Sequence, residues 1–219
     1  MLISYSNNFI YFKAVKVSGT SVQVALAENC KGKNDVITPV AHNSQETPGF
    51  KAKNYKNRYE SHDTPSKIIK TVDKKFWDEC TKICVVRNPW AAIASRYKAW
   101  CKNKEFRIKY PTLNHYIKDK GLSNIYVNTS FYFFSNGEMT ADIYMRQENI
   151  KEDYHNLCLK NGFKEIDLPR LKIAKDTRHY SHFIDDKLAI KIKREYNKEI
   201  KTFGYSFERK EDYNPKIWE

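Results

Sequence analysis

Residues 9–29 constrain the fold more than any other stretch of this chain. Phe9 to Val15 is rich in aromatic and β-branched residues, the composition of a short buried strand. From Ser21 the composition favours helix, with Val22, Ala25 and Leu26 at helical spacing and Lys31-Gly32 as a stop. Between them lie Lys16, Val17, Ser18, Gly19 and Thr20. Counting Ser21, the loop offers one lysine, one glycine and three hydroxyls. Backbone N–H groups gathered at a helix N-terminus attract anions, and a lysine beside them suits the site to phosphate or sulfate.

The rest of the composition sets limits on that reading. A chain of 219 residues is expected to form one domain, 1–219, long enough to bury a full core. Hydrophobic residues at 41% and aromatics at 14% argue for a globular fold rather than disorder. The longest apolar runs are a few residues, far below the ~20 that span a bilayer. Met1 to Asn8 has neither the basic start nor the apolar run of a secretory signal, and the chain begins almost at its first strand. The expectation is a soluble cytoplasmic protein with no membrane partner. The net charge of +13 fits either a solvated lysine-rich surface or attraction to polyanions or a multiply charged cofactor. Five cysteines, an odd count without metal spacing, suggest buried thiols at Cys80 and Cys84 and neither a disulfide framework nor a metal site.

Taken in order, Asp35 to Val40 reads as a second short strand, and residues 41–63 lose all periodicity. Thr64-Pro65 opens a helix with Ile68, Ile69 and Val72 inward, ending before Phe76-Trp77. Lys82 to Val86 is a near-continuous apolar run, as in a strand buried on both faces of a parallel sheet. Arg87 follows it, and Asn88-Pro89 caps a helix in which Trp90, Ile93, Tyr97 and Trp100 recur at helical spacing. Pro111-Thr112 opens a short helix ending at Gly121, and strand-like runs at Ile125–Phe134 and Ala141–Met145 flank Ser135-Asn136-Gly137. Helices are expected over Asn149–Lys160 and Asp185–Thr202, the latter burying Leu188 or Ala189, Ile192, Tyr196, Ile200 and Phe203 and stopped by Gly204. Strands alternating with helices predict an α/β fold: a single three-layer domain with a central, mainly parallel sheet flanked by helices.

In such a sheet, ligands bind beyond the C-terminal ends of the strands. Polar groups fall there twice, at Lys16–Ser21 and at Arg87 with Ser95. A Walker A loop places its lysine directly after a glycine. Here Lys16 comes three residues before Gly19, and Arg87 stands where a magnesium-holding carboxylate would be wanted.

Lys16-Val-Ser-Gly-Thr-Ser resembles the Lys-x-x-Gly-Thr-Ser loop of sulfotransferases that use 3′-phosphoadenosine-5′-phosphosulfate, PAPS. Val85-Val86-Arg87-Asn88-Pro89-Trp90 with Ser95-Arg96-Tyr97 is similar to that family's second signature, an Arg-Asn/Asp-Pro turn with a serine eight residues after the arginine. Arg146-Gln-Glu-Asn-Ile150 resembles its Arg-Phe-Glu-Asn-Leu segment, and Phe203-Gly-Tyr-Ser-Phe207 the Phe-Gly-Tyr-x-Phe that closes many carbohydrate-type members. The blocks occur in family order and span most of residues 9–207.

The resemblance implies a P-loop-NTPase-like sulfotransferase fold and transfer of a sulfuryl group from PAPS to an acceptor hydroxyl on a carbohydrate or small molecule, releasing adenosine 3′,5′-bisphosphate (PAP). It assigns the 5′-phosphosulfate to Lys16, Val17, Ser18, Gly19, Thr20 and Ser21, with Lys16 reaching the bridging oxygen where charge develops. The 3′-phosphate falls to Arg87 and Ser95. His62, in a segment similar to the family's His-x-x-x-x-x-Ile, is the leading general base, since an imidazole titrates near neutral pH. His42 is the reserve, and Asp63 and Glu148 are further candidates. The basic stretch Arg170–Tyr180 corresponds to a loop over the nucleotide; it makes Arg178 and Lys175 cofactor candidates, although Lys172 stands where many relatives carry Asn. Tyr126, Phe131, Tyr132, Phe133 and Phe134 either line an acceptor pocket or pack in the core. The chain resembles a short stand-alone form, bacterial or viral. Three other readings stay open: a P-loop kinase, a basic nucleic-acid-binding module without a recognisable motif, and a sulfotransferase that binds nucleotide without turnover.

Overall fold

The computed structural model describes residues 1–40, 47, 49–125, 133–135, 138–171 and 176–209. Contacts divide the chain into two compact units, one from Met1–Val86 and Thr129–Leu171, the other from Arg87–Asn128 and Lys172–Ile217.

The first unit is built on a five-stranded sheet in the order β3-β1-β2-β4-β7, comprising β1 (Leu2–Ser4), β2 (Phe9–Phe12), β3 (Val36–Ile37), β4 (Thr81–Val86) and β7 (Ile143–Arg146). β1 is antiparallel to both β2 and β3, while β2, β4 and β7 pair in parallel, so four of the five strands run the same way. Every residue of β2 and the last four of β4 are buried, which requires cover on both faces and explains their unbroken apolar runs. Helices flank this sheet: α1 (Gly19–Leu26), α2 (Pro65–Ile68) and α3 (Lys74–Glu79), and α7 (Ile150–Asn161) directly after β7. The result is a three-layer α/β architecture with a mixed, mainly parallel sheet. A two-stranded hairpin of β5 (Phe134–Ser135) and β6 (Glu138–Met139) completes the unit.

Several details depart from the sequence reading. Leu2–Ser4 forms a strand that two apolar residues could not announce; it is recruited because it bridges β2 and β3. α1 begins at Gly19, two residues earlier than expected from Ser21. The helix opened by Pro65 is short, and Ile69 is exposed instead of inward. Phe76 and Trp77 sit in a separate helix, α3, whose N-cap Asp73 accepts from the Phe76 amide at 3.2 Å. Most of Ile125–Phe134, and Asn136-Gly137, lie outside the described residues.

Asp35 ties the antiparallel half of the unit together. Fully buried, it accepts from the amides of Ser6 (3.0 Å) and Gly32 (2.9 Å) and from the hydroxyls of Ser6 (2.5 Å) and Ser4 (3.3 Å). Gly32 is required there by closeness, since a β-carbon would lie 2.8 Å from Ser6 Cβ and 3.0 Å from Asp35 Oδ1. Asn29 clamps the far end of α1 to the segment after α7, donating to the Lys164 carbonyl (3.0 Å) and accepting from its amide (2.8 Å).

The second unit is helical: α4 (Pro89–Trp100), α5 (Lys104–Lys109), α6 (Leu113–Lys120), α8 (Asp186–Glu195) and α9 (Asn197–Phe203). Asn88 caps α4, accepting from the amides of Trp90 (3.0 Å) and Ala91 (3.3 Å) while its side-chain NH₂ donates to the Ser206 carbonyl (2.9 Å). Trp90 is buried, and its indole N–H donates to the Ala189 carbonyl at 3.0 Å. The expected single helix Asp185–Thr202 is broken at Tyr196, whose φ of −104° and ψ of 25° leave the helical region. Its predicted face is nevertheless the buried one, from Leu188, Ala189 and Ile192 to Tyr196, Ile200 and Phe203. α5 was not expected; Asn103 caps it and Phe106 anchors it among Trp100, Tyr110 and Tyr116. All five cysteines are free, with Cys30, Cys80, Cys84 and Cys158 buried; burial pushes the Cys80 thiol up to about 11.

Replacing Asp35 by Ala removes a buried acceptor shared by two amides and two hydroxyls. The expected loss is on the order of 3 kcal/mol in urea unfolding, whereas removing Glu28 from its exposed pair with Lys31 should change stability by less than about 0.5 kcal/mol.

Candidate functional site

The chain leaves β2 at Phe12 and turns through Lys13–Ser18 before α1 begins. Two non-glycine residues of this turn adopt left-handed backbone, Lys16 at φ 64° and Ser18 at φ 61°. For an L-residue each costs about 1–2 kcal/mol. Ser18 is the N-cap of α1, yet its side chain makes no capping bond, so no local contact of that kind offsets its conformation. The strain is held by the surroundings. The Tyr11 hydroxyl donates to the Gly19 carbonyl at 3.1 Å, and a β-carbon on Gly19 would lie 3.0 Å from Lys13 Cγ and 3.1 Å from that hydroxyl. A side chain at position 19 would press on these neighbours, so glycine eases a close approach there and not a positive φ. Val17, Thr20 and Ser21 are buried; Lys16 and Ser18 are half-buried. The first turn of α1 carries no acidic residue, which leaves its N-terminal dipole uncompensated.

His62 is brought to the same turn. Its ring Nδ1 lies 2.8 Å from the Lys13 carbonyl oxygen, three residues before Lys16. A carbonyl only accepts, so Nδ1 carries the proton, and in the neutral ring Nε2 is the basic nitrogen. Neighbouring Asp63 is buried and engaged, accepting from the Glu60 amide (2.8 Å) and from Lys67 Nζ (2.7 Å). Those bonds fit a support for the His62 segment better than a base. Glu148 lies in the short turn after β7. His115 and His155 face local partners, the Thr112 hydroxyl at 2.7 Å and the Glu165 carboxylate at 2.9 Å.

In the second unit, Arg87 immediately precedes the Asn88 cap of α4, and Ser95 is half-buried two turns along that helix. One turn beyond Ser95 stands Lys98, which the sequence reading passed over. Its Nζ donates to the carbonyls of Asp176 (3.1 Å) and Arg178, and it lies 4.8 Å from the centre of the Phe183 ring. Burial lowers the Lys98 ammonium pKa; the charges of Arg87 and Arg178 push the same way and Asp176 opposes them. The Arg178 guanidinium is forked onto Asp176, Nε to Oδ1 at 3.0 Å and Nη2 to Oδ2 at 2.7 Å. That pair, Arg178 first, holds the Asp176 carboxyl down to about 2. Arg178 is exposed and engaged by its own loop, a contact invisible to motif matching. Lys98 did have a signal: three residues after Ser95, it shares a helix face with it.

His42, Lys172, Lys175, Tyr126, Phe131 and Tyr132 lie outside the described residues. Phe133 is buried, and Phe134 begins β5. Among the described residues, no group of three or more His, Cys, Asp or Glu side chains could hold a metal ion, and no helix is long and apolar enough to cross a membrane. Comparison of the chain with protein-family models, curated proteins and solved structures finds no match.

The backbone at Ser18 has a measurable consequence. Ser18→Gly should raise the unfolding free energy by about 0.5 kcal/mol, because glycine adopts left-handed backbone without penalty. Ser18→Val should lower it by on the order of 2 kcal/mol, since a β-branched residue tolerates that region least. Urea titrations of the two variants check both signs.

Proposed function

We propose that this chain is a PAPS-dependent sulfotransferase with the P-loop-like fold of that family, acting on a carbohydrate or small-molecule hydroxyl. One observation carries the reading: a lysine-bearing turn, in left-handed backbone at Lys16 and Ser18, leaves the C-terminal end of a parallel strand and opens α1. Such a turn aims backbone N–H groups at an anion. The position of Lys16, three residues before Gly19, is that of the Lys-x-x-Gly-Thr-Ser loop and not of a Walker A lysine.

In this reaction the acceptor oxygen forms a bond to sulfur as the bond from sulfur to the bridging oxygen breaks. The electron pair leaves with that oxygen on PAP. Lys16 meets the charge that develops there, an interaction stronger in the transition state than in the ground state. His62 Nε2 takes the proton of the acceptor hydroxyl, its tautomer set by the Lys13 carbonyl. The N–H groups of residues 17–21, with the hydroxyls of Thr20 and Ser21, are assigned the 5′-phosphosulfate. By the motif resemblance, Arg87, Ser95 and Arg178 are assigned the 3′-phosphate.

PAP should raise the melting temperature well above the shift given by AMP or ATP, and equal shifts for all three would remove the assignment. With labelled PAPS and a panel of glycans and small alcohols, Lys16→Ala should lower transfer by at least about 100-fold while PAP still stabilises the variant. His62→Ala should lower kcat by about 10²–10⁴ with PAP affinity unchanged. Full turnover in either variant would cancel that residue's role.

A further inference from the structure

The end of α4 and the two short helices after it hold much of the chain's positive charge. Residues 96–120 carry eight lysines and arginines against two acids, a net +6 out of +13. Lys102, Lys104, Arg107, Lys109, Lys118 and Lys120 are exposed. Lys120 lies 3.4 Å from the Asp119 carboxylate, which also accepts from the Tyr110 hydroxyl. Among the described residues, the other five have no carboxylate partner.

Arg96 gives this charge a fixed centre. It is half-buried, its guanidinium lies 5.0 Å from the centre of the Trp100 ring one turn on, and its Nε is sealed from water without an acceptor. Among the described residues, no carboxylate or carbonyl reaches any of its nitrogens. A buried donor left unmade is costly, and a guanidinium meets a carboxylate or sulfate through two nitrogens at once. Aromatic contacts tie Arg96 to the cations of α5 and α6. Trp100 packs on Tyr116 at 5.0 Å between ring centres, and Tyr116 on Tyr110 at 5.1 Å. Lys109 Nζ lies 5.4 Å from the Tyr110 ring centre, and Lys120 meets Asp119 beside the Tyr110 hydroxyl. Arg96, Lys109 and Lys120 thus rim one aromatic cluster. Its rings are not open platforms, because Tyr110 and Tyr116 are buried and Arg96 lies over Trp100. Single-stranded nucleic acid stacks its bases on open ring faces, whereas a chain of acidic sugars needs only the cations.

We propose that Arg96, with Lys109 and Lys120 around the Trp100, Tyr110 and Tyr116 rings, forms a docking surface for an acidic glycan, a polymer of sugars bearing carboxylate or sulfate groups. The inference rests on the sulfotransferase reading and narrows its acceptor to a polyanionic carbohydrate. Arg96 directly follows Ser95 but is turned about 100° from it around the α4 axis, so the two residues serve different faces of the helix. Arg96 takes one anionic group through Nε and a terminal nitrogen, and Lys109 and Lys120 meet further groups along the polymer.

Calorimetric titration of the full chain with a hyaluronan fragment, whose glucuronates recur along the polymer, tests the surface. Binding is expected at low salt, with none for dextran, a neutral glucan. Arg96→Gln should weaken hyaluronan at least about tenfold, and Lys109→Gln with Lys120→Gln several-fold. Lys70→Gln with Lys75→Gln, which removes two exposed lysines of the first unit, should change it less than about twofold. The melting-temperature rise given by PAP should be the same in all of these variants. No hyaluronan binding by the wild type, unchanged binding by Arg96→Gln, or equal losses in the two lysine pairs would overturn the surface. A PAP shift that falls in Arg96→Gln would overturn its separation from the nucleotide. Tighter binding of a single-stranded dT oligomer of equal charge would overturn the glycan as occupant. Hyaluronan binding without any stabilisation of the wild type by PAP would overturn the sulfotransferase reading and leave the surface standing. Should Arg96→Gln fail to fold, the comparison of the two lysine pairs decides.

Discussion

β2 and β4 lie side by side in parallel, Phe9 opposite Thr81 through Phe12 opposite Cys84, with β2 and the end of β4 buried on both faces. Parallel neighbours cannot be joined by a tight turn, so the chain must travel back between them. It uses that journey to build α1, β3 and the short helices α2 and α3. The pairing also fixes where the chain emerges. Both strands end at one edge of the sheet, so the Lys16 turn and the β4 exit that leads into Arg87 arise from the same constraint.

Burial at that edge lets the Lys13–Ser18 turn keep an unfavourable shape. Left-handed backbone at two non-glycine residues would relax in a loose loop. Here the turn is braced by the Tyr11 hydroxyl on the Gly19 carbonyl and by His62 on the Lys13 carbonyl. The same bonds that hold the turn also set the imidazole tautomer. Support of the fold and placement of a candidate base are one arrangement, with Asp63 fixing the His62 segment through Glu60 and Lys67.

The helical unit follows a different economy. Its core mixes aromatic residues, among them Trp90, Tyr97, Tyr110 and Tyr116, with aliphatic ones such as Ile93, Leu113 and Ile192. Lys98 is half-buried and donates to the carbonyls of Asp176 and Arg178, which ties that segment to α4.

By itself the sequence determined the strand–turn–helix at residues 9–26, the buried strand before Arg87, the Asn88-Pro89 cap and the inward face of residues 188–203. Each is a local pattern: an apolar run, a cap or a helical repeat is readable because its cause lies within a few residues. The order of strands, the recruitment of Leu2–Ser4 and the break at Tyr196 were decided only by tertiary structure, since they depend on which distant surfaces need covering. So too were the left-handed turn at Lys16 and Ser18, the contact of His62 with Lys13, and the union of Lys98 with residues 176–178 across 78 positions of chain. A side chain's composition names the chemistry it can perform. Which partner it meets is set by long-range packing, and no spacing along the chain encodes that.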